Sequence, residues 1–190
     1  DIPGLPTVRT GKAEIVSVEA TPAQQAIMAD FIMRAEAIRT GRVKPEEDNM
    51  LKLTGEARLM AIDPRLIRPD ADGTGSKLSV CIEDVYQVWK DTAASASTQL
   101  VFCDVGTPKA GKFNVYDEIR NVLLAKGVPE SEIAFVHDAT SEAQRQELFE
   151  RTRQGKVRIL IGSTSKLGTG VNVQNKVISI DHLDCRATRS

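Results

Sequence analysis

Apolar positions recur at helical spacing in the first third of the chain and gather into short runs in the last two thirds. Glu14 to Val18 alternates like a short strand. Thr21-Pro22 then predicts a helix start, with Thr21 as N-cap and Pro22 at the first helical position. Its apolar stripe is Ile27, Met28, Phe31, Ile32, Ala35 and Ile38, and Gly41 ends it. Pro45 opens a second helical pattern with Met50, Leu53, Ala57 and Met60 on one face. Ile62 to Gly75 holds Pro64, Pro69, Gly73 and Gly75 among aspartates and a threonine, and reads as a linker. After Ser76 comes a helix carrying Leu78, Cys81, Ile82, Val85, Val88 and Trp89, then the apolar run Leu100-Val101-Phe102-Cys103. Next come a helix over Val115 to Lys126, a strand Ile133 to His137 and a helix Ser141 to Gln154. A strand Val157 to Ile161, a glycine-rich loop and a strand Val177 to Ile180 complete the series.

Strands that alternate with helices of about 12 residues predict βαβ crossovers, and therefore an α/β fold with a parallel sheet and helices on both faces. Residues 1–75 read as a helical connector and residues 76–190 as the α/β domain. In such sheets ligands sit beyond the carboxyl ends of the strands, which directs attention to the loops after Cys103, His137, Ile161 and Ile180.

Composition sharpens this picture in three places. Aromatics are only 4% of the 190 residues, so the core must rest on Leu, Ile, Val and Ala, as parallel sheets allow. Basic and acidic residues nearly balance, 25 against 26, yet Arg145 to Arg189 holds nine basic residues (145, 151, 153, 156, 158, 166, 176, 186, 189) against four acidic ones (147, 150, 181, 184). That local excess suits a phosphate backbone, and equally a solvated helix face with a charged tail. Cys81, Cys103 and Cys185 have no CxxC spacing and read as reduced thiols. With no signal peptide or bilayer-length apolar stretch in view, the expected setting is intracellular and cytoplasmic, near the nucleoid in a bacterium, with no membrane partner. The opening Asp1-Ile2-Pro3-Gly4-Leu5-Pro6 reads as a linker within a longer protein.

Two glycine-rich loops compete for the chemistry. Gly106-Thr107-Pro108-Lys109-Ala110-Gly111-Lys112-Phe113 has the spacing of a phosphate-binding P-loop, after an apolar strand and before a helix. Phe113 stands where a Ser or Thr hydroxyl would hold Mg²⁺, and Pro108 removes an amide N–H, so an ordinary βα turn competes with the P-loop reading. The second loop runs from Gly162 to Gln174. Ser163 and Thr164 at a strand terminus offer hydroxyl and amide donors to phosphate. Gly168 and Gly170 permit close backbone approach, and Asn172 and Gln174 can bond a ribose hydroxyl or a base edge. A flexible surface turn is the plainer alternative. Asp181, His182, Asp184 and Cys185 offer metal-ligand types but no second ligand cluster, so no metal site is expected. His137 reads as a loop residue without chemistry, and Trp89 and the Met28–Phe31 stripe as core.

With Ser163-Thr164, Gly168-Thr169-Gly170, Asn172 and then Val177-Ile178-Ser179-Ile180-Asp181, the chain resembles the carboxy-terminal RecA-like domain of superfamily-two helicases, particularly the Swi/Snf-type ATPases. The resemblance extends backwards to Ser76-Lys77-Leu78 and Leu100 to Cys103, to Ala139-Thr140-Ser141 with Arg145 and Phe149, and to Thr21 to Gln25 with Met50 to Ile67. It is nearest to large bacterial, plasmid or phage proteins that join such a motor to an adenine DNA methyltransferase. Two departures stand out. Lys166-Leu167 replace the usual Ala-Gly, and the arginine-finger motif Gln-x-x-Gly-Arg-x-x-Arg is absent after the last strand.

The resemblance implies the second motor domain of an ATP-dependent DNA helicase or translocase, one wall of an ATP cleft whose other wall is a first RecA-like domain. Gly168, Gly170 and Asn172 would face ATP, with Mg²⁺ held in the intact protein. Ser163, Thr164 and Thr107 would bind the DNA phosphate backbone, and Arg145 would support that surface unless a helix-surface ion pair claims it. Asp181 would link nucleotide state to DNA grip. Such a half-site is expected to be inactive alone. The rival readings are a self-contained P-loop NTPase using Gly106 to Lys112, with Asp181 as the metal-water acid, and a non-catalytic docking module whose helical first third recruits a partner.

Overall fold

The structure is a computed structural model that describes residues 15–108, 111–167, 173 and 176–184. Two helices form a first layer. α1 (Pro22–Arg39) starts on a capping box in which Thr21 and Gln24 satisfy each other's backbone N–H. α2 (Met50–Ile62) starts on the Asn49 side chain, which accepts the Lys52 N–H. Ile27 and Phe31 meet Leu53 and Met60 in a small core of their own. The predicted stripe on α1 is thereby split, because Met28 is 45% and Ile32 65% exposed while Ile27 and Phe31 are buried. The Met28–Phe31 stripe is thus core only on its Ile27 and Phe31 side. Two helices alone cover only one side of each other. The alternation at Glu14 to Val18 forms no strand over 15–18, and Ile15 and Val16 are exposed.

Residues 62–75 are not a loose linker. A short 3₁₀ turn, Pro64–Leu66, is capped by the fully buried Asp63. That carboxylate accepts the Ser76 hydroxyl at 2.7 Å and the Arg65 guanidinium at 2.9 Å. Arg65 reaches on to Glu118 at 2.7 Å and lies 4.3 Å from the centre of the Phe113 ring. Buried charge therefore bonds the helical layer to the α/β part of the chain.

That second part is built from α3 (Lys77–Asp91), β1 (Thr98–Phe102), α4 (Val115–Ala125), β2 (Ile133–Phe135), α5 (Glu142–Arg153), β3 (Ile159–Gly162), α6 (Thr164–Leu167) and β4 (Val177–His182). All strand pairs are parallel, in the order β2-β3-β1-β4. β2 is shorter than predicted, since residues 136–138 turn as a 3₁₀ element. Side chains alternate between the two faces, as the pleat requires. Val101, Cys103, Phe135, Ile159 and Ile161 point to the face covered by α3 and α4. Leu100, Phe102 and Leu160 point to the other, where they meet Val157 from the loop before β3, Leu148 of α5, Leu167 of α6 and Val173. Helices thus cover both faces of a parallel sheet, as the strand–helix alternation predicts and as the resemblance to a RecA-like domain implies. β4 departs from the pattern, for Ile178 and Ile180 remain 56% and 55% exposed on its outer face.

Candidate functional site

Because every strand runs the same way, the exits of β1, β3 and β4 lie side by side at one edge of the sheet. The Cys103 N–H donates to the Gly162 carbonyl at 3.0 Å, and the Leu183 N–H donates to the Phe102 carbonyl at 3.1 Å. The ladder thus holds together to the last residue of each strand. β3 then ends on Gly162, where a Cβ would stand 3.0 Å from Leu167 and 3.2 Å from Val136, so a larger residue would require those side chains to shift. Ser163 closes α6 through its carbonyl, which accepts the Lys166 and Leu167 N–H groups.

At this turn Ser163 is half-buried and Thr164 is exposed. The Ser163 and Ser165 hydroxyls share a hydrogen bond of 3.0 Å. The Thr164 N–H is taken by the Asp104 carboxylate, Oδ1 at 2.7 Å, and the Asp104 N–H in turn donates to Asp184 Oδ2 at 2.8 Å. Burial raises the Asp184 pKa, while the Asp104 N–H holds it down and the Asp104 charge pushes it up. In the sequence Asp184 stands out only as one of four metal-ligand types after the last strand, and Asp104 is not singled out as a site group. The one further signal is that Asp104 ends the apolar run 100–103.

The predicted site residues fall into three groups. Ser163 and Thr164 stand at the β3 exit, next to the β1 exit whose loop carries the exposed Thr107. Arg145 lies on α5, half-buried, with its guanidinium 3.8 Å from Glu142, the helix-surface ion pair that competes with a nucleic-acid role. Gly168, Gly170, Asn172 and Gln174 lie outside the described residues, as does Cys185. Among the described residues no cluster of three or more His, Cys, Asp and Glu could hold a metal ion.

The basic excess after residue 145 is partly spent inside the molecule. Arg158 is buried at 5% exposure, donates to the Trp89 carbonyl at 2.6 Å and to the Thr92 hydroxyl at 2.9 Å, and lies against the Trp89 ring. Arg153 pairs with Glu150 at 2.6 Å, and the Lys176 ammonium reaches the Ser95 carbonyl at 3.4 Å. A linear count of charges overstates the field available to phosphate.

The first glycine loop is tied to structure at both ends. Gly106 has φ +64, a left-handed value, and a Cβ there would lie 2.6 Å from Val115. Its carbonyl accepts the Val115 N–H at 3.0 Å, Asn114 caps α4, and the Phe113 ring packs under Arg65. Lys112 is exposed. Residues 109 and 110 lie outside the described residues.

An apolar groove of about 430 Å³ lies elsewhere, lined by Val18, Met28, Ile32, Met60 and the stem of Lys77 among others. It belongs chiefly to the helical layer and to none of the strand exits. Among the described residues no helix is long and apolar enough to cross a membrane.

No family model matches the sequence, and no curated protein matches it. A solved structure does resemble the fold, that of the Sulfolobus solfataricus SWI2/SNF2 ATPase C-terminal domain. The TM-score is 0.56 at 15% sequence identity, over 88% of this chain and 75% of that one. The likeness takes in the helical first third as well as the sheet, because the α/β part alone is too short to supply that coverage.

Proposed function

We propose that this chain is the second motor domain of an ATP-dependent DNA helicase or translocase. It contributes one wall of an ATP cleft and part of the track for the DNA backbone. The observation that carries the reading is the fold likeness to a SWI2/SNF2 ATPase C-terminal domain across 88% of the chain. The residue pattern supports it, since Ser163-Thr164 stands at a strand exit and leads into Gly168-Thr169-Gly170 and Asn172.

In this reading the Ser163 and Thr164 hydroxyls, with Thr107 from the neighbouring exit, position phosphates without reading sequence. Gly168, Gly170 and Asn172 face ATP, whose Mg²⁺ is held by the first RecA-like domain. That domain is the principal partner within the same protein, and the exposed face of Met28, Ile32 and Met50 suits contact with it. A docking module for a separate protein would use the same face, so that face does not discriminate. The parent protein, by its sequence resemblance to motors joined to an adenine DNA methyltransferase, carries such a methyltransferase as well.

Substitutions in the intact protein test the assignment. Thr164→Ala is expected to weaken binding to all DNA sequences alike and to flatten the salt dependence of affinity. Asn172→Ala is expected to leave DNA binding nearly intact and to lower ATP turnover by a factor of about five to a hundred and fifty, the range for one lost hydrogen bond in a site. Wild-type affinity and turnover in both folded variants would reduce this loop to a turn.

A further inference from the structure

Three strand exits are joined by two carboxylates that serve neither the core nor any strand ladder. Asp184, just past β4, accepts the Asp104 N–H at 2.8 Å. Asp104, just past β1, accepts the Thr164 N–H at 2.7 Å. The two bonds span 80 and 60 residues of sequence, so they are tertiary ties and not local turns. Both are charge-assisted, the stronger and more directional class of hydrogen bond. Nothing else among the described residues bonds the Thr164 amide. α6 itself is one turn long, and Leu167 is the residue by which it enters the core.

From this geometry we infer that Asp104 and Asp184 are positioning residues that form a relay, by which the end of β4 sets the orientation of the Ser163–Thr164 turn. The inference rests on the proposed phosphate-binding role of that turn. A shift of the chain beyond β4 moves Asp184, which pulls on the Asp104 backbone. The Asp104 side chain then moves the amide of Thr164. The β4 end is thereby linked mechanically to the hydroxyls proposed to grip DNA.

The relay makes a prediction that a merely local cap does not. In the 190-residue chain, Asp104→Ala should expose the Thr164 amide to faster hydrogen exchange, by about tenfold for one charge-assisted bond. Asp184→Ala should also speed exchange at Thr164, although Asp184 does not touch it. Asp104→Asn keeps an acceptor oxygen and should restore most of the protection. Since the two sites act in series, the double variant Asp104→Ala/Asp184→Ala should be no faster than Asp104→Ala alone, against the additivity expected of independent sites. Thr164 exchange unchanged in Asp184→Ala, or effects that simply add, would overturn the relay.

A second arm measures affinity for a fluorescein-labelled duplex of about 20 base pairs, long enough to hold several phosphate contacts. Weakened binding in Thr164→Ala and in Asp104→Ala, with recovery in Asp104→Asn, supports the relay as part of the grip. Binding indifferent to Thr164→Ala overturns the phosphate role of the turn while the exchange experiment still decides the relay. Binding weakened by Thr164→Ala but untouched by Asp104→Ala and Asp184→Ala overturns the relay's part in the grip alone.

Discussion

The Asp181 carboxylate sits on β4, where the Ser179 hydroxyl donates to it at 3.1 Å. Burial raises its pKa, the Ser179 bond opposes that rise, and the charge of Asp84 adds to it. A folded-state pKa above the ordinary 3.8 means that the native protein holds this proton more tightly than the unfolded chain does. The group's contribution to stability is then fully present below the unfolded value and lost as pH rises through the folded one. At pH 7 the ionised carboxylate is a liability, which is what a residue kept for a role other than stability looks like. Asp181→Asn is expected to raise the urea midpoint at pH 7, by on the order of 0.5 kcal/mol or more in stability, as relief of unfavourable charge commonly does. The gain should shrink as pH falls toward 3.8. Equal destabilisation at both pH values would instead show that the Ser179–Asp181 bond outweighs the desolvated charge.

Among the elements, those legible from sequence are the ones whose signal is local. The capping pairs Thr21/Gln24 and Ser141/Gln144, the apolar faces of α3 and α4, and the runs at 100–103 and 157–161 each announce themselves within a few residues. The alternation at 14–18 misleads because a strand needs a neighbour, and at 15–18 the chain meets no sheet edge. The stretch 62–75 misleads in the opposite sense. Prolines, glycines and aspartates signal irregular backbone, not exposure, and here Asp63 is fully buried beneath Arg65. In the site, Ser163 and Thr164 could be placed from sequence because they end an apolar run. Asp104 and Asp184 could not, because their bonds cross 60 and 80 residues. The Arg65 cluster gives the element-scale prediction. Arg65→Ala leaves Asp63 as a buried carboxylate whose remaining partners are the Ser76 hydroxyl and the backbone N–H of residue 65. The expected loss is about 3 kcal/mol, the lower end for breaking a buried ion pair on one side. Arg65→Lys should recover only part, since an ammonium cannot span Asp63 and Glu118 as a forked guanidinium does. Urea denaturation monitored by tryptophan fluorescence reads this directly, as Trp89 packs against the core of the α/β part. A loss under about 1 kcal/mol, the size of an exposed ion pair, would mean that the helical layer is held by its apolar contacts alone.

At the scale of the whole molecule the question is whether these 190 residues can turn over ATP unaided. Phosphoryl transfer depends on positioning and on neutralising charge at the transferred group, which takes phosphate-cradling amides, a metal ion on a hydroxyl and an acid, and an arginine. The loop that comes nearest to a cradle has Phe113 where the metal-binding hydroxyl belongs, and that ring is engaged by Arg65. The Gly106 carbonyl is engaged by the Val115 N–H, which closes this turn on itself. Asp181, the acid a self-contained NTPase would use, is hydrogen-bonded by Ser179 of its own strand and not by a loop hydroxyl. The motif Gln-x-x-Gly-Arg-x-x-Arg occurs nowhere in the sequence. ATP hydrolysis by the isolated chain is therefore expected to stay at the level of a no-protein control, with and without duplex DNA, in a coupled phosphate-release assay. Lys112→Ala supplies the decisive comparison, because Lys112 is exposed and its replacement should leave the fold unchanged. Turnover above background that vanishes in Lys112→Ala would replace the motor-half reading with a P-loop NTPase. Turnover restored only when a P-loop-bearing first motor domain and an arginine-finger segment are supplied in the same chain would place the missing chemistry where the proposed function requires it.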